Sequence, residues 1–151
     1  MFGLLMSIVL NIGPVDLTQA KKATVIVFMS HDCPCSLSHE KELVKLYQTY
    51  SNQGFQFVGV FSNLPKDYNL PFPMVEDTNS KIADDYAALK TPHVFVVDQK
   101  GNNLYRGAVS NSTKLESASK FYLASALEQI AAGKNPSPKE TRSLGCPIDR
   151  P

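Results

Sequence analysis

The sequence is short of the features that mark a cross-linked scaffold, a nucleic-acid surface or a membrane span. Its 151 residues include three cysteines, too few for the disulfide framework of a secreted mini-domain. Fifteen basic and 14 acidic residues leave a formal net charge of +1, with no long run of either sign. A broad nucleic-acid or anionic-membrane surface is therefore not expected. The apolar start, residues 1–10, has the length of one signal-peptide h-region and falls far short of a spanning helix. It lacks a basic flank and a clear small-x-small cleavage site. Residues 1–15 read as a clipped export signal or an edge strand; we prefer the first, and with it an extracytoplasmic location. What remains is an ordinary globular composition, 43% hydrophobic and 19% charged, long enough to close one core.

Strand and helix signals alternate from Asp16 onward. Ala23 to Met29 is a continuous apolar, β-branched run, as in a strand buried on both faces. A helix is expected from Pro34 to about Tyr50, with Leu37, Val44 and Tyr47 on one face and Glu40, Lys41 and Lys45 in water. Phe55 to Phe61 reads as a second strand. Thr78 to Leu89 holds a short helix with Ile82, Tyr86 and Leu89 inward. His93 to Asp98 and Leu104 to Val109 flank Gly101 in a hairpin. Lys114 to Ala132 reads as a long helix with Leu123, Ala124, Leu127, Ile130 and Ala131 in one stripe, capped by Gly133. The prolines of residues 133–151 argue for an extended segment lying on the domain of residues 16–132. The order β-α-β-(α)-β-β-α predicts an α/β fold: a mixed central sheet with helices on both faces.

The cysteines cluster where chemistry is available. Cys33 follows a buried strand and opens a helix, where unpaired N–H groups and the helix dipole favour a thiolate nucleophile. Pro34 suits the first helical turn. His31, when protonated, would favour the thiolate and Asp32 would oppose it. Cys35 lies two residues on, and Cys146 sits in the tail.

The segment Val25 to Leu43, with Cys33-Pro34-Cys35 at its centre, resembles the active-site segment of the redoxin branch of the thioredoxin superfamily. That branch holds peroxiredoxin-like proteins and extracytoplasmic thioredoxin-like reductases. Thr91-Pro92 before the strand at His93 is similar to the superfamily's Thr–cis-Pro, and Gly101 and Leu104 to Gly107 match its hairpin. The resemblance runs from about Asp16 to Ile130. It implies a thioredoxin-like fold and thiol–disulfide oxidoreductase activity, with Pro34, Thr91 and Pro92 shaping an edge where a protein or small-molecule disulfide or thiol docks. Roles in redox homeostasis and antioxidant defence follow from the same likeness. No cofactor, nucleic-acid partner or membrane embedding is implied.

The departures leave the reaction open. Ser36 stands where the second cysteine of a Cys-x-x-Cys pair belongs, so the resolving thiol is Cys35, Cys146 or a partner's. A Cys33–Cys35 bond would be strained, since side chains two apart on a helix diverge. A thiol peroxidase is one alternative. Ser30 fits that pattern, but Ile26 replaces its proline and Thr91-Pro92 takes the place of its arginine, a charged donor to peroxide oxygens. Val27 stands where thioredoxins carry a buried carboxylate, leaving His39 and Glu40 as weak proton acceptors. A copper- or zinc-binding carrier is the other alternative, with His31, Cys33, Cys35 and His39 as conceivable ligands.

Overall fold

The computed structural model describes residues 10–148 and 150. Of residues 1–15, where the export signal or edge strand was expected, residues 1–9 lie outside the described residues. Asn11–Ile12 (β1) and Val15–Asp16 (β2) pair as a small antiparallel ribbon. Its turn uses Gly13 at φ +55°, a left-handed value that other residues rarely adopt.

Ala23–Met29 (β3) is buried at every position, because it is the middle strand of a five-stranded sheet. Pro34–Tyr50 (α1) crosses back to Phe55–Phe61 (β4), which pairs with β3 in parallel from Ala23↔Phe55 to Met29↔Phe61. Met74–Glu76 (β5) extends the parallel part beside β4. After Lys81–Tyr86 (α2) and the short Lys90–Thr91 (β6), His93–Val97 (β7) runs antiparallel against the other side of β3. Asn103–Gly107 (β8) closes that edge, and Tyr122–Ala131 (α3) follows. The sheet order is β5-β4-β3-β7-β8.

Successive strand residues point to opposite faces, so the sheet divides the apolar residues into two cores. Val25, Val27 and Met29 of β3 pack with Leu43 and Leu46 of α1 and with Leu123 and Leu127 of α3. Ile26 and Phe28 pack on the opposite face with Ala83 of α2, and with Ile12 and Leu17 from the start of the chain. This is the mixed α/β, thioredoxin-like arrangement expected from the sequence.

Four local expectations fail for identifiable reasons. The helix expected from Lys114 begins only at Tyr122, with a single 3-10 turn at Leu115–Ser117 before it. Side chains capture the backbone there. Asn111 Oδ1 accepts from the N–H groups of Ser119 and Lys120, and Ser38 Oγ accepts from Leu115 N–H at 2.7 Å. Leu89 is 60% exposed rather than inward, because α2 ends at Tyr86 on the left-handed Ala87 (φ +57°). Leu37 is also exposed, while Val44 and Tyr47 on the same helix pack against the core. Glu40 is not simply solvated either: it accepts the Tyr68 hydroxyl proton in a hydrogen bond. Burial first, and then that carboxylate, push the Tyr68 hydroxyl well above its usual range.

At the far end of α3, Gly133 takes φ +80° and donates to the Ile130 carbonyl, ending the helix where the sequence placed its cap. The remaining chain runs extended over β8 and back to the sheet's other end.

Candidate redox-active site

Cys33 is the N-cap of α1: its backbone is extended, and its carbonyl accepts the first helical bond from Leu37 N–H at 3.0 Å. It offers no side-chain cap, so its sulfur is free for another partner. Pro34 occupies the first helical position, where it removes no hydrogen bond. The positive end of a 17-residue helix thus lies against this sulfur. Ser36, at the position of the missing second cysteine, is fully buried and accepts Ser30 N–H at 3.2 Å. Its hydroxyl fastens the loop that leads into Cys33.

The second wall comes from β6. The Thr91–Pro92 bond is cis, and the Thr91 carbonyl oxygen lies 3.3 Å from Cys33 Sγ. Thr91 and Pro92 are both buried.

The third part is the tail. Cys146 is joined to Cys33 by a disulfide, with the Cα atoms 6.0 Å apart. Cys146–Pro147 (β9) pairs antiparallel with β6, Cys146 opposite Thr91. Thr91 Oγ1 donates to the Cys146 carbonyl at 3.4 Å. The tail therefore lies along the edge beside cis-Pro92, where the resemblance puts an incoming peptide.

Anchors on both sides hold it there. Upstream, Thr141 N–H donates to the Arg106 carbonyl at 3.0 Å, and Thr141 Oγ1 accepts from Ala108 N–H at 3.0 Å and meets the Tyr105 hydroxyl at 2.7 Å. Downstream, Ile148 N–H donates to the Leu89 carbonyl at 3.1 Å, and Arg150 Nη2 to that of Ala88 at 2.7 Å. Only Arg142, Ser143, Leu144 and Gly145 separate the upstream anchor from Cys146.

Two glycines make the fit possible. A Cβ on Gly107 (φ +148°) would strike Thr141, and one on Gly145 (φ +135°) would strike the Thr91 carbonyl. Gly145→Val is expected to disfavour docking by about 1–3 kcal/mol, the usual cost of a strained backbone position. The disulfide should then be about ten-fold or more easier to reduce in a glutathione redox titration. An unchanged titration would show that Gly145 does not control docking.

Cys35, the remaining thiol, is half-buried. The three cysteine sulfurs all lie within 4.8 Å of one another. The histidines do not join them. His31 Nδ1 lies 3.1 Å from the Asn63 carbonyl, and Nε2 lies 2.9 Å from Asp32 Oδ1. His39 is buried rather than solvated, with Nδ1 2.8 Å from the Cys35 carbonyl and Nε2 2.7 Å from Ser110 Oγ. With both ring nitrogens engaged, His39 acts as a brace between α1 and the loop after β8.

An open groove of about 380 Å³ leads to the site, lined by Ser30, Asp32, Cys33, Ser62, Thr91 and Cys146 among others. One residue after cis-Pro92 stands a histidine that sequence reasoning missed. His93 is buried and accepts Leu89 N–H on Nδ1 at 3.1 Å. Burial, aided by Arg106, pushes its pKa down to about 4. Nothing in a β-branched run distinguishes such a histidine from a half-exposed one. Gly145 was the more legible omission, since a glycine directly before a reactive cysteine marks a close backbone approach.

Comparison with known proteins agrees with this fold. No curated protein matches the chain. A hypothetical protein from Sinorhizobium meliloti superposes with a TM-score of 0.78 at 23% identity, over 89% of this chain and 82% of that one. An uncharacterized protein from Geobacillus kaustophilus gives 0.78 at 26% identity, over 89% and 80%. A Chlorobium tepidum protein named as a thiol:disulfide interchange protein of the DsbE type gives 0.54 at 20%, over 76% and 81%. Residues 7–105, about two thirds of the sequence, match the AhpC/TSA family model, and the chain belongs to the AhpC/TSA family, on a thioredoxin-like fold.

Proposed function

We propose that the protein is a thiol–disulfide oxidoreductase in which Cys33 is the nucleophile and Cys146 the resolving thiol. The observation that carries this reading is the Cys33–Cys146 disulfide beside cis-Pro92. In the reduced protein the Cys33 thiolate, favoured by the α1 N-terminus, attacks one sulfur of a substrate disulfide. A Cys33–substrate bond forms and the other substrate thiolate leaves. The Cys146 thiolate then attacks Cys33 Sγ, which forms the intramolecular disulfide and releases the second substrate thiolate. The protein has lost two electrons and the substrate has gained two; an external dithiol resets the cycle.

Thr91 and Pro92 support docking of an extended peptide or a small disulfide once the tail moves aside. The DsbE-type likeness agrees with an interchange activity of this kind. A resting disulfide persists best in an oxidising compartment, which favours a place outside the cytoplasm. Among the described residues no helix is long and apolar enough to cross a membrane. Redox homeostasis is the physiological role that such exchange serves.

The family name also suggests peroxide reduction, and a Cys33 sulfenate resolved by Cys146 would leave the same disulfide. Among the described residues lining the groove there is no arginine, so peroxide oxygens would lack a charged donor there. Disulfide exchange is the better-supported reaction. It is tested with Cys146→Ser and a model peptide disulfide. The variant is expected to accumulate a Cys33–peptide mixed disulfide, seen by mass spectrometry, while wild type releases the peptide thiol. If both proteins turn over hydrogen peroxide faster than the disulfide, the assignment is wrong.

A further inference from the structure

The tail brings a third sulfur to a place where the N-terminus of α1 already presents two. We infer that the reduced protein holds one copper(I) ion between Cys33, Cys35 and Cys146. The inference shares the docked position of the tail with the proposed exchange reaction but does not depend on turnover.

Three cysteine sulfurs within 4.8 Å of one another already approximate a ligand set. With metal–sulfur bonds of about 2.3 Å, three coplanar sulfurs stand about 4 Å apart, so once the disulfide opens the Cys33 and Cys146 sulfurs must part to that spacing, while Cys35 already stands within 4.8 Å of both. Two of the three are held by rigid elements, since Cys33 caps α1 and Cys35 sits in its first turn. The third is set by the β6–β9 pairing and by Thr141.

The donor set is all sulfur. The ring nitrogens of His31 and His39 are engaged by Asn63, Asp32, Cys35 carbonyl and Ser110. Soft thiolates select copper(I), and a closed-shell monovalent ion is content with three of them. Zinc would need a fourth ligand to complete its tetrahedron. Binding releases up to three thiol protons and changes no oxidation state. The unbalanced negative charge of three thiolates falls at the positive end of α1.

The site exists in only one redox state. In the oxidised protein Cys33 and Cys146 spend their sulfurs on each other, and a dithiol must deliver two electrons before metal can enter. Exchange and metal holding are thus mutually exclusive uses of the same thiols.

The test is anaerobic titration of the full chain, reduced with a phosphine, with copper(I) against bicinchoninate as competitor. One equivalent should bind, with thiolate-to-copper absorption in the near ultraviolet, and the oxidised chain should bind none. Cys35→Ser and Cys146→Ser should each weaken binding by more than the roughly 10- to 100-fold that loss of a supporting partner costs. Gly145→Val keeps all three thiols and should also weaken binding by displacing the tail, which covers the case of a serine variant that folds poorly. His31→Asn should bind as wild type does. Failure of the reduced chain to compete with the chelator would overturn the inference. So would binding indifferent to Cys146→Ser, a loss with His31→Asn as large as with the cysteines, or a tighter hold on zinc. Disulfide turnover measured on the same samples keeps the two readings apart, because exchange without copper uptake removes the metal site alone.

Discussion

Cys33→Ser is expected to bring disulfide turnover down to the uncatalysed rate, to raise the free-thiol count of the oxidised chain, and to leave the fold in place. A serine hydroxyl at the head of α1 stays protonated, and it cannot form the mixed disulfide on which exchange depends. Cys146 loses its partner, so Cys35 and Cys146 both become available where oxidised wild type offers Cys35 alone. The swap is nearly isosteric at a buried position, and Cys33 belongs to neither of the two apolar cores. Stability still falls, because the lost cross-link joins residues 113 apart. In the chain-entropy account a loop of that length contributes on the order of 4–5 kcal/mol. Turnover of a peptide disulfide, alkylation mass counts and far-ultraviolet circular dichroism check the three parts. Wild-type turnover in this variant would remove Cys33 from the mechanism.

Acidification supplies the second large effect. His93 has a pKa near 4 in the folded chain against 6.5 unperturbed, mainly because burial penalises its charged form. Between those values the unfolded chain binds more protons than the folded one, so stability rises with pH. The contribution is complete above about pH 6.5 and is lost progressively as pH falls toward 4. From pH 7 to pH 4.5 the loss attributable to His93 is on the order of 2 kcal/mol. The charges that act on the ring are Arg106, which opposes protonation, and Glu140, which favours it. In urea melts, His93→Gln should shrink the difference in stability between pH 7 and pH 4.5 by about that amount. Glutamine offers an oxygen to Leu89 N–H without the titration. An undiminished difference would place the acid sensitivity elsewhere.

The framework was legible because it depends on burial patterns that the sequence displays. Ala23 to Met29 reads as a strand covered on both faces, and Cys33-Pro34 as the opening of a helix. The thioredoxin-like fold came from the family resemblance that those segments and Thr91-Pro92 carry. Lys114 to Ser119 misled because helix propensity ignores what Asn111 and Ser38 do to the backbone in three dimensions. Leu37 and Leu89 misled because a face of a helix is apolar in sequence whether or not a neighbour covers it. At the site, the sequence left Cys35, Cys146 and a partner's thiol as candidates for the second thiol. Their choice depends on a tail whose path is set by long-range bonds to Arg106, Ala108 and Leu89, and no local pattern encodes these. The histidines were offered as metal ligands because spacing alone cannot tell an available nitrogen from one already bonded.

The bond between Cys33 and Cys146 also changes what the chain can do under tension. Oxidised, residues 33 to 146 form a closed ring, and a pull on the two ends passes from one side of the bond to the other. Of the five central strands only β3, at Ala23–Met29, lies on the taut path. The other four are inside the ring and can be disordered without lengthening the molecule. Reduction opens the ring and adds the contour of 113 residues, roughly 380 Å at full extension. Threading through a narrow pore, as in translocation or proteolysis, would meet a double strand of chain in one redox state and a single strand in the other.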